Sequence, residues 1–160
     1  MKTKMRLLTL GSMLAMALPL VSMSAQSGDL LTGTWALNVA KSTYSPGPVP
    51  KSEARTYVAL ANGYKFSSKG IDTEGKATAT TFSVNFDGKY YPLTGSVAVD
   101  SIMAKRVDAY TNESVQTKGS KIVRRTTRVI AKDGKSFTVT STGTNAAGKP
   151  YKNVEVFDKK

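Results

Sequence analysis

The chain of 160 residues has no cysteine and no histidine, and its 23 lysines and arginines against 11 acidic residues give a formal net charge of +12. These counts exclude disulfide bonds, thiol nucleophiles, histidine general bases and the usual zinc and copper ligands. Neither a Gly-x-Gly-x-x-Gly loop nor a Gly-x-Ser-x-Gly elbow occurs. We therefore predict no catalytic residue, no cofactor and no metal site. An enzyme that uses a carboxylate of raised pKa is the alternative, although surface ion pairs explain its candidates better; these are Asp108, Glu113 and Glu155.

Residues 1–25 have the order of segments that is typical of a secretory signal peptide. Three basic residues precede an apolar run over residues 7–21, and small residues follow at Ser22, Ser24 and Ala25. The run is interrupted by a proline and is shorter than the ~20 apolar residues of a membrane-spanning helix. The alternative is an uncleaved membrane anchor.

Cleavage after Ala25 would remove three of the 23 basic residues and none of the acidic ones, which leaves 20 against 11, a net charge of +9 on 135 residues. A chain of this length suits one domain, which we place at 26–160. The predicted location is the periplasm or the cell exterior, without stable membrane insertion.

The basic residues of the mature chain are scattered as singles and pairs, and no basic helix or interleaved aromatic pattern accompanies them. We therefore predict no nucleic-acid partner. The simpler interpretation of the charge is solubility in an anionic cell envelope. The alternative is a basic strand surface from Lys121 to Arg128 that binds an anionic polymer or a protein partner of the envelope.

Strand-like segments dominate the sequence after residue 33, and no window has apolar residues at helical spacing over three turns. The dipeptides Asn62-Gly63, Asp87-Gly88 and Asp133-Gly134 predict hairpin turns, because both residue types tolerate positive φ. Segments joined this tightly pair antiparallel. The predicted strands are Trp35–Val39, Arg55–Leu60, Tyr64–Ile71, Ala77–Phe86, Lys89–Leu93, Ser101–Asp108, Glu113–Lys118, Lys121–Ala131, Ser136–Thr142 and Tyr151–Phe157.

The fold class that follows is all-β, an antiparallel up-and-down meander closed into a barrel of eight to ten strands. Closure is favoured because a long open meander would leave two exposed edges. Phe137 and Val139 alternate with polar residues, as one apolar and one polar face require. The segment 40–50 breaks this rhythm with three prolines, and we expect it to cross an open end of the barrel, either as a lid or as a plain connection.

Gly33-x-Trp35 before the first strand resembles the amino-terminal motif of lipocalins and the wider calycin group. The resemblance implies a lipocalin-like barrel with Trp35 as the plug of one end. Many lipocalins stack an arginine near the last strand on this tryptophan, and residues 153–157 contain none. The wider pattern is similar to small exported bacterial proteins of unassigned function; its parts are Gly-Thr-Trp-x-Leu-Asn at 33–38, Ala-Lys-Ser at 40–42, Ser-Pro-Gly-Pro at 45–48, Asp-Gly-Lys-x-Tyr-Pro-x-Thr-Gly at 87–95, Lys-Arg-x-Asp at 105–108 and Asp-Gly-Lys at 133–135.

Arginines within strands are the candidate ligand-binding residues. Arg106 shares a strand face with Ile102 and Ala104, whereas Lys105 lies on the other face, so we predict that Arg106 points inward. In the predicted strand Lys121–Ala131, Arg124 and Arg128 share one face. Two arginines on one face predict that this face is exposed to solvent and that Arg125, on the other face, points inward.

A buried guanidinium is costly unless it is paired, and an internal ion pair such as Arg106 with Asp108 is the simpler explanation. The alternative is that Arg106 and Arg125 hold the carboxylate of an acid. Binding or carriage of a small apolar or amphipathic molecule is accordingly the predicted function. The aromatic residues expected to contact it are Phe66, Phe82, Phe86, Tyr91 and Phe137.

Overall fold

The computed structural model describes residues 29–145 and 147–160. The predicted signal peptide, residues 1–25, lies outside this part of the chain. The regular structure of the described residues consists of β-strands and a 3-10 turn at Val39–Lys41. The strands are β1 (Gly33–Leu37), β2 (Thr43–Ser45), β3 (Ser52–Leu60), β4 (Gly63–Ile71), β5 (Ala77–Asn85), β6 (Tyr91–Thr94), β7 (Ser101–Arg106), β8 (Thr111–Lys118), β9 (Lys121–Ile130), β10 (Ser136–Thr144) and β11 (Pro150–Lys159).

The strands form one antiparallel sheet that closes on itself. From β3 to β11 each strand pairs with the next along the chain, and β1 pairs with both β3 and β11. These ten strands make a closed barrel, and the short β2 adds to β11 beyond the end of β1. The predicted all-β, antiparallel and closed architecture is confirmed.

The segment 40–50, predicted to cross an open end of the barrel as a lid or a plain connection, in part forms a strand of the sheet. Strand β11 is ten residues long, and β1 covers only its second half, where Leu37 lies opposite Phe157. The first half of that edge pairs with β2, where Thr43 lies opposite Val154. An unpaired edge offers hydrogen-bonding groups to any extended neighbour, so three residues of the segment join the sheet before the prolines begin.

Glycines fix tight turns and close approaches between strands. Gly88 and Gly134, at two of the predicted hairpin turns, have φ values of 74° and 66°, which glycine adopts without steric cost. Gly63 serves a different purpose. A Cβ atom on Gly63 would lie 2.0 Å from the carbonyl oxygen of Val84 in the neighbouring strand, so the β4–β5 pairing requires glycine here.

Trp35 lies at one end of the barrel, with no exposed surface. Its Nε1 donates a hydrogen bond to the carbonyl oxygen of Leu31 at 2.9 Å, and its ring centroid lies 4.7 Å from that of Phe137. The Nζ of Lys159, in the last strand, lies 5.0 Å from the indole centroid. Lysine therefore occupies the place beside the tryptophan for which the sequence offered no arginine.

The two ends of the barrel differ in filling. At the Trp35 end, aromatic rings pack through the interior, including Phe66 stacked on Phe82 at 4.6 Å and Phe137 stacked on Phe157 at 5.0 Å. The opposite end, which we call the mouth, is formed by the turns that follow β4, β6, β8 and β10 and by the segment between β2 and β3.

None of the described residues belongs to a helix with the length and apolar character needed to cross a bilayer.

Candidate ligand-binding site

The inner face of β8 and β9 forms a polar wall between the aromatic core and the mouth. The alternation of side chains along each strand places Asn112, Ser114 and the residues opposite them on the same face. Asn112 and Ser114 are buried. The cross-strand pairs of this wall are Asn112–Arg128, Ser114–Thr126 and Gln116–Arg124.

A cavity of about 120 Å³ lies inside the barrel against this wall. Its lining combines guanidinium, hydroxyl and amide groups with aromatic rings on the side of the core that faces the mouth. A wider pocket of about 420 Å³ forms the mouth. Val99 and Arg124 line both spaces, so the cavity and the mouth pocket adjoin.

The lining of the mouth pocket is mainly apolar. It includes side chains from the segment after β2, the turn between β6 and β7, and the start of β11. A third opening of about 200 Å³ lies between β2 and β3 and is polar, with Tyr44, Glu53 and Asn153 in its lining. The apolar lining residues of the mouth pocket are Pro46, Val97, Ala98, Val99, Val123 and Tyr151.

Arg55 is half-buried in the cavity wall, beside the half-buried Glu53 and the buried Glu155. Its Nε and one terminal nitrogen bind the two carboxylate oxygens of Glu53 at 2.8 and 2.9 Å, and the same terminal nitrogen lies 3.0 Å from Glu155. The guanidinium also lies over the ring of Phe157, 4.1 Å from its centroid. A guanidinium with two carboxylates and a ring is satisfied without any further partner.

Glu155 is the buried carboxylate of this group, and the phenol of Tyr44 donates a hydrogen bond to it. Burial favours the protonated form, but the charge of Arg55 and the bond from Tyr44 together lower the pKa of Glu155 below its ordinary value. Burial first, and then the nearby Glu155 charge, raise the pKa of Tyr44. At neutral pH the pair is therefore a carboxylate that accepts from a neutral phenol.

Arg128 is only 7% exposed, yet its surroundings are aromatic. Its guanidinium carbon lies 4.8 Å from the ring centroid of Tyr57, 5.6 Å from that of Tyr64 and 5.7 Å from that of Phe137. Its Nε has no hydrogen-bond partner. The ion pairs found among the described residues join Arg55 to its two carboxylates and Arg106 to an aspartate, so none of them includes Arg128.

Three other polar atoms of the wall and the cavity are buried without a hydrogen-bond partner: the hydroxyl of Tyr57, Oε1 of Gln116 and Oδ1 of Asn112, whose residue lies opposite Arg128. Buried polar atoms in folded proteins nearly always have a partner, whether protein, water or ligand. Arg124, which lies nearer the mouth than Arg128, donates from its Nε to the hydroxyl of Tyr151 at 2.8 Å. The wall and the cavity therefore contain one buried cation whose Nε is unbonded, and three further polar atoms that have no hydrogen-bond partner among the described residues.

The sequence prediction for Arg125 is wrong, because its side chain is exposed on the outer surface of β9. Arg124 and Arg128, which the sequence placed outside, lie on the inner face. The hairpin at Asp133-Gly134 carries the signal that was missed: it pairs Ile130 with Phe137, and alternation from Ile130 then turns both arginines inward. A rule based on the average exposure of arginine gave the opposite answer.

Arg106 is on the predicted strand face, but it extends past the core at the Trp35 end and its side chain is 41% exposed. It forms an ion pair with Asp29 and stacks over Phe86 at 4.6 Å, so the predicted pair with Asp108 is wrong. The carboxylate of Asp108 instead accepts from the backbone N–H groups of Tyr110 and Thr111.

The predicted aromatic contacts are divided between different places. Phe66 and Phe82 line the cavity, whereas Phe137 lies deeper, against Trp35. Phe86 borders a shallow surface pocket at the Trp35 end. The remaining member, Tyr91, donates to Asp87 at 2.7 Å and accepts from Asn85, away from the cavity.

Two further predictions need correction. Glu155, interpreted as a surface residue, is buried in the ion pair described above. The basic surface from Lys121 to Arg128 does not exist as a single face, because Arg124 and Arg128 point into the barrel and Arg125 points outward.

Within the part of the chain that the structure describes, no group of three or more acidic residues is placed to hold a metal ion.

The fold and this site define a closed antiparallel β-barrel with a partly charged interior cavity that adjoins an apolar mouth. No protein-family model matches the sequence, and no curated protein matches it significantly. Among solved structures, the chain is similar to the zebrafish ileal bile acid-binding protein crystallised with cholic acid, at 11% identity and a TM-score of 0.48, over 82% of this chain and 99% of that chain. A likeness at this level transfers neither a ligand nor a binding residue from one chain to the other.

Proposed function

We propose that this chain binds a small amphipathic acid inside its barrel, with the acid group at Arg128 and the apolar part directed toward the mouth. We further propose that it does so as an exported protein in the periplasm or outside the cell. The second statement rests on the signal-peptide pattern of residues 1–25.

The observation that carries the proposal is the buried, incompletely bonded guanidinium of Arg128. Arginine keeps its charge in proteins, so burial cannot be relieved by loss of a proton. Three aromatic rings compensate for part of the lost hydration, but the Nε–H still has no hydrogen-bond acceptor. An anionic group supplies both the charge and the acceptor that are missing.

The balance of charge in the interior supports an anion over a neutral ligand. Three guanidinium groups, those of Arg55, Arg124 and Arg128, line the cavity together with two carboxylates, those of Glu53 and Glu155. One positive charge is therefore in excess. Because both carboxylates bind Arg55, that group has a net charge of −1, and Arg124 and Arg128 of β9 carry two positive charges that no carboxylate binds.

The shape of the two adjoining spaces supports an amphipathic molecule that enters with its acid group first. The inner cavity has about 120 Å³ and a charged wall, whereas the mouth pocket has about 420 Å³ and an apolar lining. A polar head fits the smaller space, and an apolar chain covers the side chains of the larger one, which removes apolar surface from water.

Calorimetric titration with three probes that share a ten-carbon chain tests the proposal: decanoate, decanol and decyltrimethylammonium. We expect decanoate to bind at least tenfold more tightly than the other two. Arg128→Met should weaken decanoate binding by at least tenfold, because hydrogen bonds to charged groups contribute about 1.5–3 kcal/mol.

The matched control is Arg125→Met, three positions away on the outer face of the same strand. It removes the same charge from the protein and should change decanoate affinity less than twofold. Equal affinity for decanoate and decanol, an unaffected Arg128→Met variant, or no binding of any probe would each contradict the proposal. Export is tested separately, by cell fractionation and by amino-terminal sequencing of the recovered protein, where an intact Met1 would contradict it.

A further inference from the structure

The mouth carries the most exposed large apolar side chain among the described residues. Val97, in the turn between β6 and β7, is 94% exposed. It also lines the apolar mouth pocket, next to Ala98 and Val99. Single exposed apolar residues are common on protein surfaces, so Val97 alone indicates little. The charged residues around Val97 are the second feature that points to a binding surface.

Lysines gather around this side of the mouth. Lys118 and Lys121 lie directly opposite each other at the tip of the β8–β9 hairpin, an arrangement that destabilises a strand pair. Neither takes part in the ion pairs found among the described residues. Lys149 and Lys152 are exposed at the start of β11 and in the turn before it.

We call residues 95–100, 118–121, 144–145 and 147–152 the basic rim. It contains four lysines against a single acidic residue, Asp100, whose carboxylate accepts from the backbone N–H of Gly119. Val97 and Lys118 line the same pocket, so the apolar and the basic parts of the rim are contiguous. The rim therefore has an apolar tip beside a local excess of positive charge.

We propose that the basic rim docks on an anionic lipid bilayer, with Val97 inserted among the headgroups and the four lysines facing the lipid charges. A soluble polyanion would engage the lysines alone and would leave Val97 exposed, whereas a bilayer satisfies both features. One valine and four lysines give a weak, reversible association at the surface. The proposal requires no ligand in the barrel, so it stands or falls independently of the function proposed above.

Co-sedimentation of the purified protein with vesicles tests the proposal. We expect binding to vesicles of phosphatidylglycerol and phosphatidylcholine, little binding to phosphatidylcholine alone, and loss of binding as salt rises. Val97→Ser should weaken the partition coefficient about tenfold, because most of the apolar burial of the side chain is lost. Lys118→Gln with Lys121→Gln should weaken it by about fivefold for each lysine.

Matched controls come from the Trp35 end. Val107→Ser removes a valine that is 51% exposed in the β7–β8 turn, and Lys132→Gln with Lys135→Gln removes two lysines that flank the β9–β10 turn. Each control should bind anionic vesicles within twofold of the unchanged protein. The proposal is overturned if anionic vesicles do not bind, or if the controls weaken binding as much as the rim variants. It is also overturned if Val97→Ser has no effect while soluble polyphosphate displaces the protein completely, since that result makes a soluble polyanion the partner.

Discussion

Replacement of Arg128 by methionine should leave the unliganded protein about as stable as before, although the residue is buried and central. The burial of an ion costs several kcal/mol. Three rings lie within 6 Å of the guanidinium, and such contacts contribute about 0.5–2 kcal/mol each, so the gain from them is of the same order as the cost. Methionine keeps an unbranched stem against the same rings and carries no charge.

The expected change in the free energy of unfolding for Arg128→Met therefore lies between a loss of about 1 kcal/mol and a gain of about 2 kcal/mol. Urea unfolding followed by the fluorescence of Trp35, the only tryptophan, measures it. Arg55→Met is the contrasting variant. It leaves the carboxylates of Glu53 and Glu155 without their guanidinium and should cost about 3–5 kcal/mol.

The reasoning is refuted if Arg128→Met loses more than about 3 kcal/mol, as the breaking of a satisfied buried ion pair does. Such a loss would mean that the guanidinium already has its full set of partners within the protein. Decanoate should raise the stability of the unchanged protein and raise that of Arg128→Met less, because a ligand shifts the folding equilibrium only as far as it binds the folded protein.

Two further predictions concern the architecture around the site. Glu155→Gln should lower the free energy of unfolding at pH 7 by about 1.5–3 kcal/mol. The pKa of Glu155 is lower in the folded than in the unfolded protein. Its contribution to stability is therefore complete above the unfolded-state pKa and is lost as the pH falls through the folded-state pKa. Unfolding curves at successive pH values should thus show a flatter acid limb for Glu155→Gln than for the exposed control Glu113→Gln, and identical limbs would contradict the assignment. Gly63→Ala should cost about 3 kcal/mol because its Cβ meets the carbonyl oxygen of Val84. Gly88→Ala, which has open space and only an unfavourable φ, should cost about 1 kcal/mol, and equal losses for the two would contradict the close approach.

The strands and the turns that connect them could be predicted from the sequence. Alternation of apolar and polar residues, together with Asx-Gly dipeptides, is a local property, and it predicted the ten strands of the barrel, the inward direction of Phe137 and Val139, and closure. The strand at Thr43–Ser45 escaped this reasoning, because it forms only where β11 leaves a free edge.

Which charged residues lie inside depends on how the strands pair with one another. Alternation divides β9 into two faces without saying which is buried, and the pairing of Ile130 with Phe137 decides the matter against the usual exposure of arginine. Arg55 and Glu155 are 100 residues apart in sequence and meet only because β1 joins β3 to β11 across the closure of the barrel. Register between strands is a cooperative property of the whole sheet, so the composition of the interior followed from closure and not from any single segment.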